Sequence, residues 1–167
     1  MGRTCYGMAS ESKFDSIDRR ILGIIQEDCT LSVQQLAERV GLSANPCWRR
    51  LKRLEAEGVI RGRVAVLDPE ALGLSLTAFV AIRTNRHDAA WLDAFAAAVA
   101  RIPEIVEAHR MSGEVDYLLK ILVADIAHYD RVYRRLIAAV PGLIDVSSTF
   151  SMERLKSGAP VDVTTLV

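Results

Sequence analysis

A short run of basic residues gives this sequence its clearest chemical signal. The stretch "NPCWRRLKRLEAEGVIRGRVAV", residues 45–66, threads leucines between arginines and a lysine, then continues through a glycine to two more arginines. At about 100° per residue, three apolar residues of a helix here would share one narrow arc: Cys47, Leu51 and Leu54. The stretch therefore predicts a helix that is apolar on one side and strongly basic on the other.

The polar side of this predicted helix carries the residue types that read DNA. Asn45, Arg49 and Lys52 lie opposite the apolar arc, with Arg53 on its flank. Arginine pairs bidentately with guanine and asparagine with adenine, while lysine and the remaining arginines hold phosphates. The alternative is an ordinary solvated helix surface. Trp48 lies at the edge of the buried arc, where packing is favoured over stacking on a sugar or base.

The residues before this stretch predict the helices that would position it. In "FDSIDRRILGIIQED", Asp15 caps a helix whose isoleucines and leucine recur at helical spacing. In "TLSVQQLAERVGLS", Ser32 and Gln35 have capping-box spacing, and Gly41 ends the helix. Ser43 then caps the basic helix. Two short helices joined around a glycine are typical of a helix-turn-helix, which favours DNA binding over the surface alternative.

The end of the basic helix resembles a wing. Gly58 ends the helix, Val59 and Ile60 fill the core, and the glycine between Arg61 and Arg63 predicts a tight basic turn into a strand. In a winged helix, this turn would bring both arginines near a neighbouring phosphate track. Plain surface charge is the alternative for these two residues.

The second half of the chain predicts a sheet with helices on one face. "LSLTAFVAIRT" alternates as a strand, and Asp88 and Asp125 each cap a helix that a proline stops. Two strands separated by "SGEV" lie between these helices, and "LIDVSSTFSM" is the last strand. The order βαββαβ is that of a ferredoxin-like domain. Apolar residues also fall on the second sheet face, which predicts a homodimer partner there: Phe79, Leu118 and Leu122.

The predicted fold class is therefore α+β, a winged helix-turn-helix domain followed by a ferredoxin-like domain. Its expected divisions are a flexible leader over 1–13, a DNA-binding domain over 14–66, a hinge over 67–73, a ferredoxin-like domain over 74–156 and a C-terminal tail over 157–167. Either Met1 or Met8 is a candidate native start. Residues 1–63 hold 11 Lys and Arg against 8 Asp and Glu, whereas the remainder holds 10 against 13. This split suggests different partners for the two halves.

The composition argues against several other classes of protein. The three cysteines form no CxxC pair and have no histidine at metal-ligand spacing, so a reduced intracellular protein without a metal or cofactor is expected. No apolar run approaches the ~20 residues of a membrane helix, and a cytoplasmic location is expected. A cofactor-free enzyme on the sheet face is an alternative. However, the candidates for acid–base catalysis are His87, His109 and His128, and none of them has a carboxylate or a nucleophile at a catalytic spacing in the sequence.

Several motifs follow one another in the order and at the intervals seen in one family. "FDSIDRRIL", "LSVQQLAERVGLS", "RLKRLEAEGVI", "LDPEALG", "SGEVDYLLKI" and "VSSTF" together resemble the leucine-responsive regulatory protein/asparagine synthase activator (Lrp/AsnC) family of transcriptional regulators. The resemblance covers Phe14 to about Lys156. It implies an N-terminal domain that binds double-stranded DNA, and a C-terminal domain that oligomerises and binds a small effector, commonly an amino acid. It also implies dimers that assemble further, often into octamers.

The resemblance assigns residues to both functions. The positions that match the family's DNA surface are Ser43, Asn45, Arg49, Arg50, Lys52 and Arg53. The loop that matches Gly113 to Tyr117 lines a crevice between dimers in family members, with a threonine matching Thr149 nearby. Two departures concern the effector pocket. Val115 replaces a frequent aromatic, and "SGAPVDVTTLV" replaces a usual Leu-Pro ending.

The chemistry of the loop "RMSGEVDYLL" suits an amino acid. Gly113 permits a sharp turn between Ser112 and Glu114 that leaves backbone amides open to a small anion, and Asp116 offers a carboxylate to an ammonium group. The alternative is an ordinary hairpin turn in which Asp116 caps its own backbone. A third possibility for the whole protein is an architectural DNA binder that is indifferent to sequence, whereas Asn45 and Arg49 pointing outward favour base readout.

Overall fold

The computed structural model describes residues 13–164, which form two units. The first unit holds the chain up to Ala65 together with the residues from Lys156 onward, and the second holds Val66–Leu155. Most of the leader expected over 1–13, including both candidate start methionines and Cys5, lies outside the described residues. Its last residue, Lys13, forms an ion pair of 3.1 Å with Glu57.

Three helices make up the first unit, and their bounds are α1 Ser16–Glu27, α2 Val33–Val40 and α3 Ala44–Ala56. The capping predictions for the first two are confirmed, because both helices begin with a complete capping box. The turn between α2 and α3 is closed by Gly41, whose φ of 74° is the left-handed conformation that glycine adopts without strain. These local signals give the helix-turn-helix its geometry.

The helices of the first unit enclose a small apolar core. The predicted apolar arc of α3, which consists of Cys47, Leu51 and Leu54, is buried in this core. It packs against apolar residues of α1 and α2, namely Ile21, Leu22, Leu36, Ala37 and Val40. Val59 and Ile60 pack against the same core, as predicted. This core fixes which side of α3 faces outward.

The strand predicted after Arg63 is absent from the structure. Between α3 and Leu76 the described chain contains no helix or strand, although Gly58 ends α3 at a φ of 73° as predicted. The prediction was wrong because a strand needs a ladder partner, and no other described segment of this chain pairs with residues 64–67. The side chains of Val64 and Val66 are consequently exposed.

The second unit is an antiparallel sheet with two helices. Its elements in chain order are β1 Leu76–Thr84, α4 Ala89–Ala100, β2 Ile105–Arg110, β3 Tyr117–Val123, α5 Ile126–Ala139 and β4 Leu143–Phe150. The strands lie in the order β2-β3-β1-β4, with every neighbouring pair antiparallel. This is the predicted ferredoxin-like arrangement.

The two faces of this sheet differ in burial. Ala78, Val80 and Ile82 of β1 are fully buried beneath α4 and α5, whereas Phe79 between them remains partly exposed. Alternation along a strand sends successive side chains to opposite faces, so the face bearing Phe79 is left open in a single chain. The apolar second face predicted from the sequence is therefore present.

The residues expected as a C-terminal tail over 157–167 group with the first unit, as far as they are described, to residue 164. The side-chain amide of Gln26 donates to the carbonyl of Val161 at 3.2 Å and accepts from its N–H at 2.8 Å. Arg19 donates to the carbonyl of Thr164 at 2.8 Å, and Val163 packs against the helical core. The Gln26 amide satisfies both backbone groups of Val161, and this pair of bonds fastens an irregular segment to α1.

Candidate DNA-binding surface and effector loop

The outward face of α3 has two polar side chains at its centre. Asn45 and Arg49 are exposed, and neither side chain has a hydrogen-bond or ion-pair partner within residues 13–164. Lys52, on the same face, is exposed but donates to Glu55 at 2.8 Å. Asparagine and arginine are side chains that can form bidentate hydrogen bonds with base edges, and Asn45 and Arg49 have no partner that would compete with such bonds.

The start of α3 adds further unsatisfied donors to this face. Ser43 occupies the cap position but makes no side-chain capping bond. The reason is that the third helical residue is Pro46, which has no N–H for the serine to accept from. The exposed Ser43 hydroxyl and the first N–H groups of the helix are therefore available to an anion, and the helix dipole favours a phosphate there.

Arg50 and Arg53 are held by two carboxylates at the start of α1, Asp18 and the capping residue Asp15, which the sequence analysis did not predict. Arg50 contacts Asp18 at 2.8 Å and Asp15 at 2.6 Å, and Arg53 contacts the other oxygen of Asp18 at 2.5 Å. The Asp18 side chain is only 1% exposed. The N–H of Asp18 and the guanidinium of Arg50 lower the pKa of the Asp15 carboxyl. Both arginines thus tie α3 to α1.

The basic segment after α3 lies in the open. Arg61 and Arg63 are both exposed, and Arg63 reaches Glu55 at 3.3 Å. Glu55 therefore links Arg63 to Lys52, and Lys52 is the main reason that the pKa of this carboxyl is lowered. Arg63 of the expected wing therefore lies beside the basic helix, although the described residues after it form no strand.

Trp48 is more exposed than the packing interpretation implies. Its side chain is 48% exposed, whereas the only other tryptophan of the sequence, Trp91, is 3% exposed. The signal for this was present in the helical periodicity, since Trp48 lies about 100° from Cys47 and outside the buried arc. The sequence analysis favoured packing over a DNA contact for Trp48, and the exposed side chain favours the alternative.

The predicted effector loop is a tight connection between β2 and β3. The N–H of Met111 donates to the carbonyl of Asp116 at 2.8 Å and closes the loop. Gly113 has a φ of 131°, in the region that favours glycine. Ser112 and Glu114 are exposed, as is Gly113, whereas Val115 is partly buried. The turn proposed at Gly113 is present.

Asp116 has a structural partner. One of its carboxylate oxygens accepts from the N–H of Thr84 at 2.8 Å, and its own N–H donates to the carbonyl of Ile82 at 3.0 Å. These bonds fasten the loop to the end of β1. The carboxylate retains its second oxygen for other donors, so its structural bond and a bond to an ammonium group are compatible.

The remaining predicted effector residues lie on different sheet faces. Tyr117 pairs with Ile82 and packs on Phe95, with ring centroids 4.3 Å apart, on the face covered by the helices. Its hydroxyl is buried and has no partner among the described residues. Thr149 pairs with Phe79 and shares its open face. In a single chain, the loop and Thr149 therefore do not enclose one small site with the Tyr117 ring.

Two of the three histidines lie beside carboxylates, in pairs that the sequence analysis did not identify. His128 lies 3.2 Å from Glu104, which also pairs with Arg135, and His109 lies 3.5 Å from Glu107. The first pair joins residues 24 positions apart, which no local pattern predicts. The second follows from alternation, because residues two apart on a strand share a face.

The comparisons with known proteins cover both units. Residues 14–61 match a family model for winged helix-turn-helix DNA binding, and residues 77–161 match the Lrp/AsnC ligand binding domain. The chain belongs to the Lrp/AsnC family. Among its relatives is the DNA-binding transcriptional activator DecR of Escherichia coli (strain K12), 53% identical over 142 residues, which are 85% of this chain and 93% of that protein.

Solved structures extend the match to the fold. An AsnC family transcriptional regulator from Agrobacterium tumefaciens is 53% identical with a TM-score of 0.82, covering 86% of this chain and 94% of that one. A transcriptional regulator from Neisseria meningitidis in complex with L-Met is 34% identical with a TM-score of 0.82, covering 89% and 96%. The resemblance, the fold class and the function as a DNA-binding transcriptional regulator are therefore confirmed.

Within the described residues, none of the five helices combines the length and the apolar character needed to cross a lipid bilayer.

Proposed function

We propose that this Lrp/AsnC chain is a sequence-specific regulator of transcription that responds to an amino acid. The observation that carries the proposal is the outward face of α3, where Asn45 and Arg49 are exposed without partners on a helix-turn-helix whose core is filled. Because both side chains are uncommitted, DNA binding breaks no existing contact of theirs. The chain acts in the cytoplasm and catalyses no reaction.

In this proposal the basic residues divide into two roles. Asn45 and Arg49 read base edges in the major groove. Ser43 with the start of α3, Lys52, Arg61 and Arg63 contact phosphates and set the register. Arg50 and Arg53 contribute positive charge from the flank, but their main contacts are with Asp18, so they position α3 and do not read bases.

The effector proposal rests on the loop between β2 and β3. The loop presents exposed backbone at Gly113 and the second oxygen of Asp116, which suit the carboxylate and ammonium of an amino acid. The solved relative in complex with L-Met supports this ligand class. Because Thr149 and Tyr117 lie on different faces of one chain, a complete site needs a second copy.

Regulation follows from assembly in this proposal. The open sheet face with Phe79, Leu118 and Leu122 is the dimer surface, and dimers associate further, up to octamers. An effector held between dimers changes DNA binding only if it favours one assembly over another. Typical coupling is about 1–3 kcal/mol, which corresponds to a roughly 5–150-fold change in affinity.

Selection from a random duplex library at physiological salt tests the DNA proposal. Wild type should enrich one palindromic sequence, and Arg49→Ala should lose it. Arg131→Ala is the matched control, because Arg131 is an exposed arginine of α5 in the other unit, and it should enrich the same sequence. Binding without enrichment would favour an architectural DNA binder, and no binding at low salt would refute the proposal.

Titration of the selected duplex with each of the twenty amino acids, with sedimentation of the protein, tests the effector proposal. Asp116→Asn should abolish the response, because the amide keeps an acceptor for the Thr84 N–H but removes the charge. Asp130→Asn, on the exposed surface of α5, is the control. An unchanged response in Asp116→Asn would show that Asp116 does not hold the effector.

A further inference from the structure

The indole of Trp48 is exposed at the edge of the outward face of α3. It is 48% exposed in a unit whose core is filled by other residues, so the fold does not use its full apolar area. Its ring makes no aromatic contact, and its N–H has no partner among residues 13–164. Trp91 shows the contrast, because it stacks on Phe95 and donates to the carbonyl of Pro141 at 2.7 Å.

The position of Trp48 places it among the residues proposed to read DNA. It follows Asn45 by three residues and precedes Lys52 by four, and side chains at these spacings are neighbours on a helix surface. Arg50 and Arg53 occupy the other flank, toward α1. A helix that enters the major groove with Asn45 and Arg49 therefore carries the indole in with them.

The chemistry of the groove selects what this indole can contact. In a stacked duplex the faces of the bases are covered by their neighbours, so stacking requires a base to be displaced. The apolar feature that base edges do present in the major groove is the C5-methyl group of thymine. Tryptophan suits such a contact, since it supplies a large rigid surface and loses little conformational entropy.

We propose that Trp48 is a specificity-determining residue that packs against a thymine C5-methyl group in the major groove. The inference rests on the proposed DNA-binding function and deepens it. Asn45 and Arg49 supply polar readout of adenine and guanine, and Trp48 supplies apolar readout of thymine beside them. The bound sequence should therefore contain a thymine next to the positions that Asn45 and Arg49 read.

Replacement of thymine by uracil tests this contact, because dU differs from dT only by the methyl group. In the duplex selected by wild type, each dT is replaced in turn, and binding is measured with wild type and with Trp48→Ala. At one position in each half-site, dU should weaken wild type about fourfold, the equivalent of one buried methyl group. Trp48→Ala should not distinguish dT from dU there. Changes in duplex shape caused by dU act on both proteins and cancel in the comparison.

Two results would overturn the inference. The first is that no change of dT to dU in the selected duplex weakens binding by wild type more than binding by Trp48→Ala. The second is that Trp48→Ala enriches the same sequence as wild type. Trp48→Phe, which keeps a smaller aromatic ring, should retain part of the dT preference and guards against a fold defect in the alanine variant. If wild type enriches no sequence at all, the proposed function fails instead, so the two failures are distinguishable.

Discussion

Replacing Asp18 with asparagine should loosen the first unit measurably. The Asp18 carboxylate is 1% exposed and gives one oxygen to Arg50 at 2.8 Å and the other to Arg53 at 2.5 Å. It also completes the capping box of α1 with Asp15. An amide of the same shape retains one acceptor but meets the second guanidinium with an N–H group, so one charge-assisted hydrogen bond is lost.

The size of the effect follows from the exposure of the partners. A hydrogen bond to a charged group contributes about 1.5–3 kcal/mol. Loss of one partner of a fully buried pair costs about 3–5 kcal/mol, but Arg50 and Arg53 are 29% and 44% exposed, so water solvates the released guanidinium. The expected cost for Asp18→Asn is therefore about 2 kcal/mol. For a unit of this size, that lowers the unfolding midpoint by roughly 8–16 °C.

Thermal unfolding of the full chain, with hydrogen exchange of the α1 and α3 amides to localise the change, measures this effect. Asp130→Asn is the matched control, because Asp130 pairs with Arg134 at 2.9 Å on an exposed helix surface. Exposed pairs of this kind contribute at most about 1 kcal/mol. If Asp18→Asn and Asp130→Asn shift stability equally and slightly, the buried carboxylate does not tie α3 to α1 and the argument is refuted.

Three further perturbations test separate contacts. Val163→Asp should destabilise the first unit by about 1 kcal/mol, because Val163 packs on its core. The control is Ala159→Asp at an exposed position, which should not change the stability. Equal midpoints of urea unfolding for the two variants would contradict the packing of Val163 on this core. The lowered pKa of Asp15 means that its carboxylate stabilises the fold above its ordinary value of 3.8, and this stability is lost as pH falls through the lower folded value. Asp15→Asn should therefore flatten the acid limb of a stability–pH curve, and an unchanged limb would contradict the assignment. Arg61→Ala should reduce the slope of log K against log salt by about 0.9 without changing the bound sequence; an unchanged slope would show that Arg61 contacts no phosphate.

The helices were predictable where the signal is local. Asp88 and Asp125 cap α4 and α5 as predicted, each accepting from an N–H three residues ahead. Such bonds join residues within one turn, so spacing alone reveals them. The apolar arc of α3 was predictable for the same reason, and it fixed the outward position of Asn45 and Arg49.

The contacts that sequence reasoning missed join distant parts of the chain. Asp18 meets Arg50 and Arg53 across 32 and 35 residues, and Gln26 meets Val161 across 135. No periodicity encodes such pairs, so charge and polarity alone assigned Arg50 and Arg53 to the DNA surface. The strand predicted after Arg63 shows the converse error, a local pattern without the distant contact that it needs. The β-branched residues of this segment favour a strand, but a strand forms only with a partner outside the segment.

The most direct test of the central claim is the affinity of the wild-type chain for its selected duplex and for a scrambled duplex of the same composition, at one physiological salt concentration. A specific reader should bind the selected duplex at least about 10³-fold more tightly. Arg49→Ala should reduce that ratio by roughly 5–150-fold, the discrimination expected from one bidentate base contact. Equal affinity of wild type for both duplexes would contradict the account, because it would show that Asn45 and Arg49 do not read base edges.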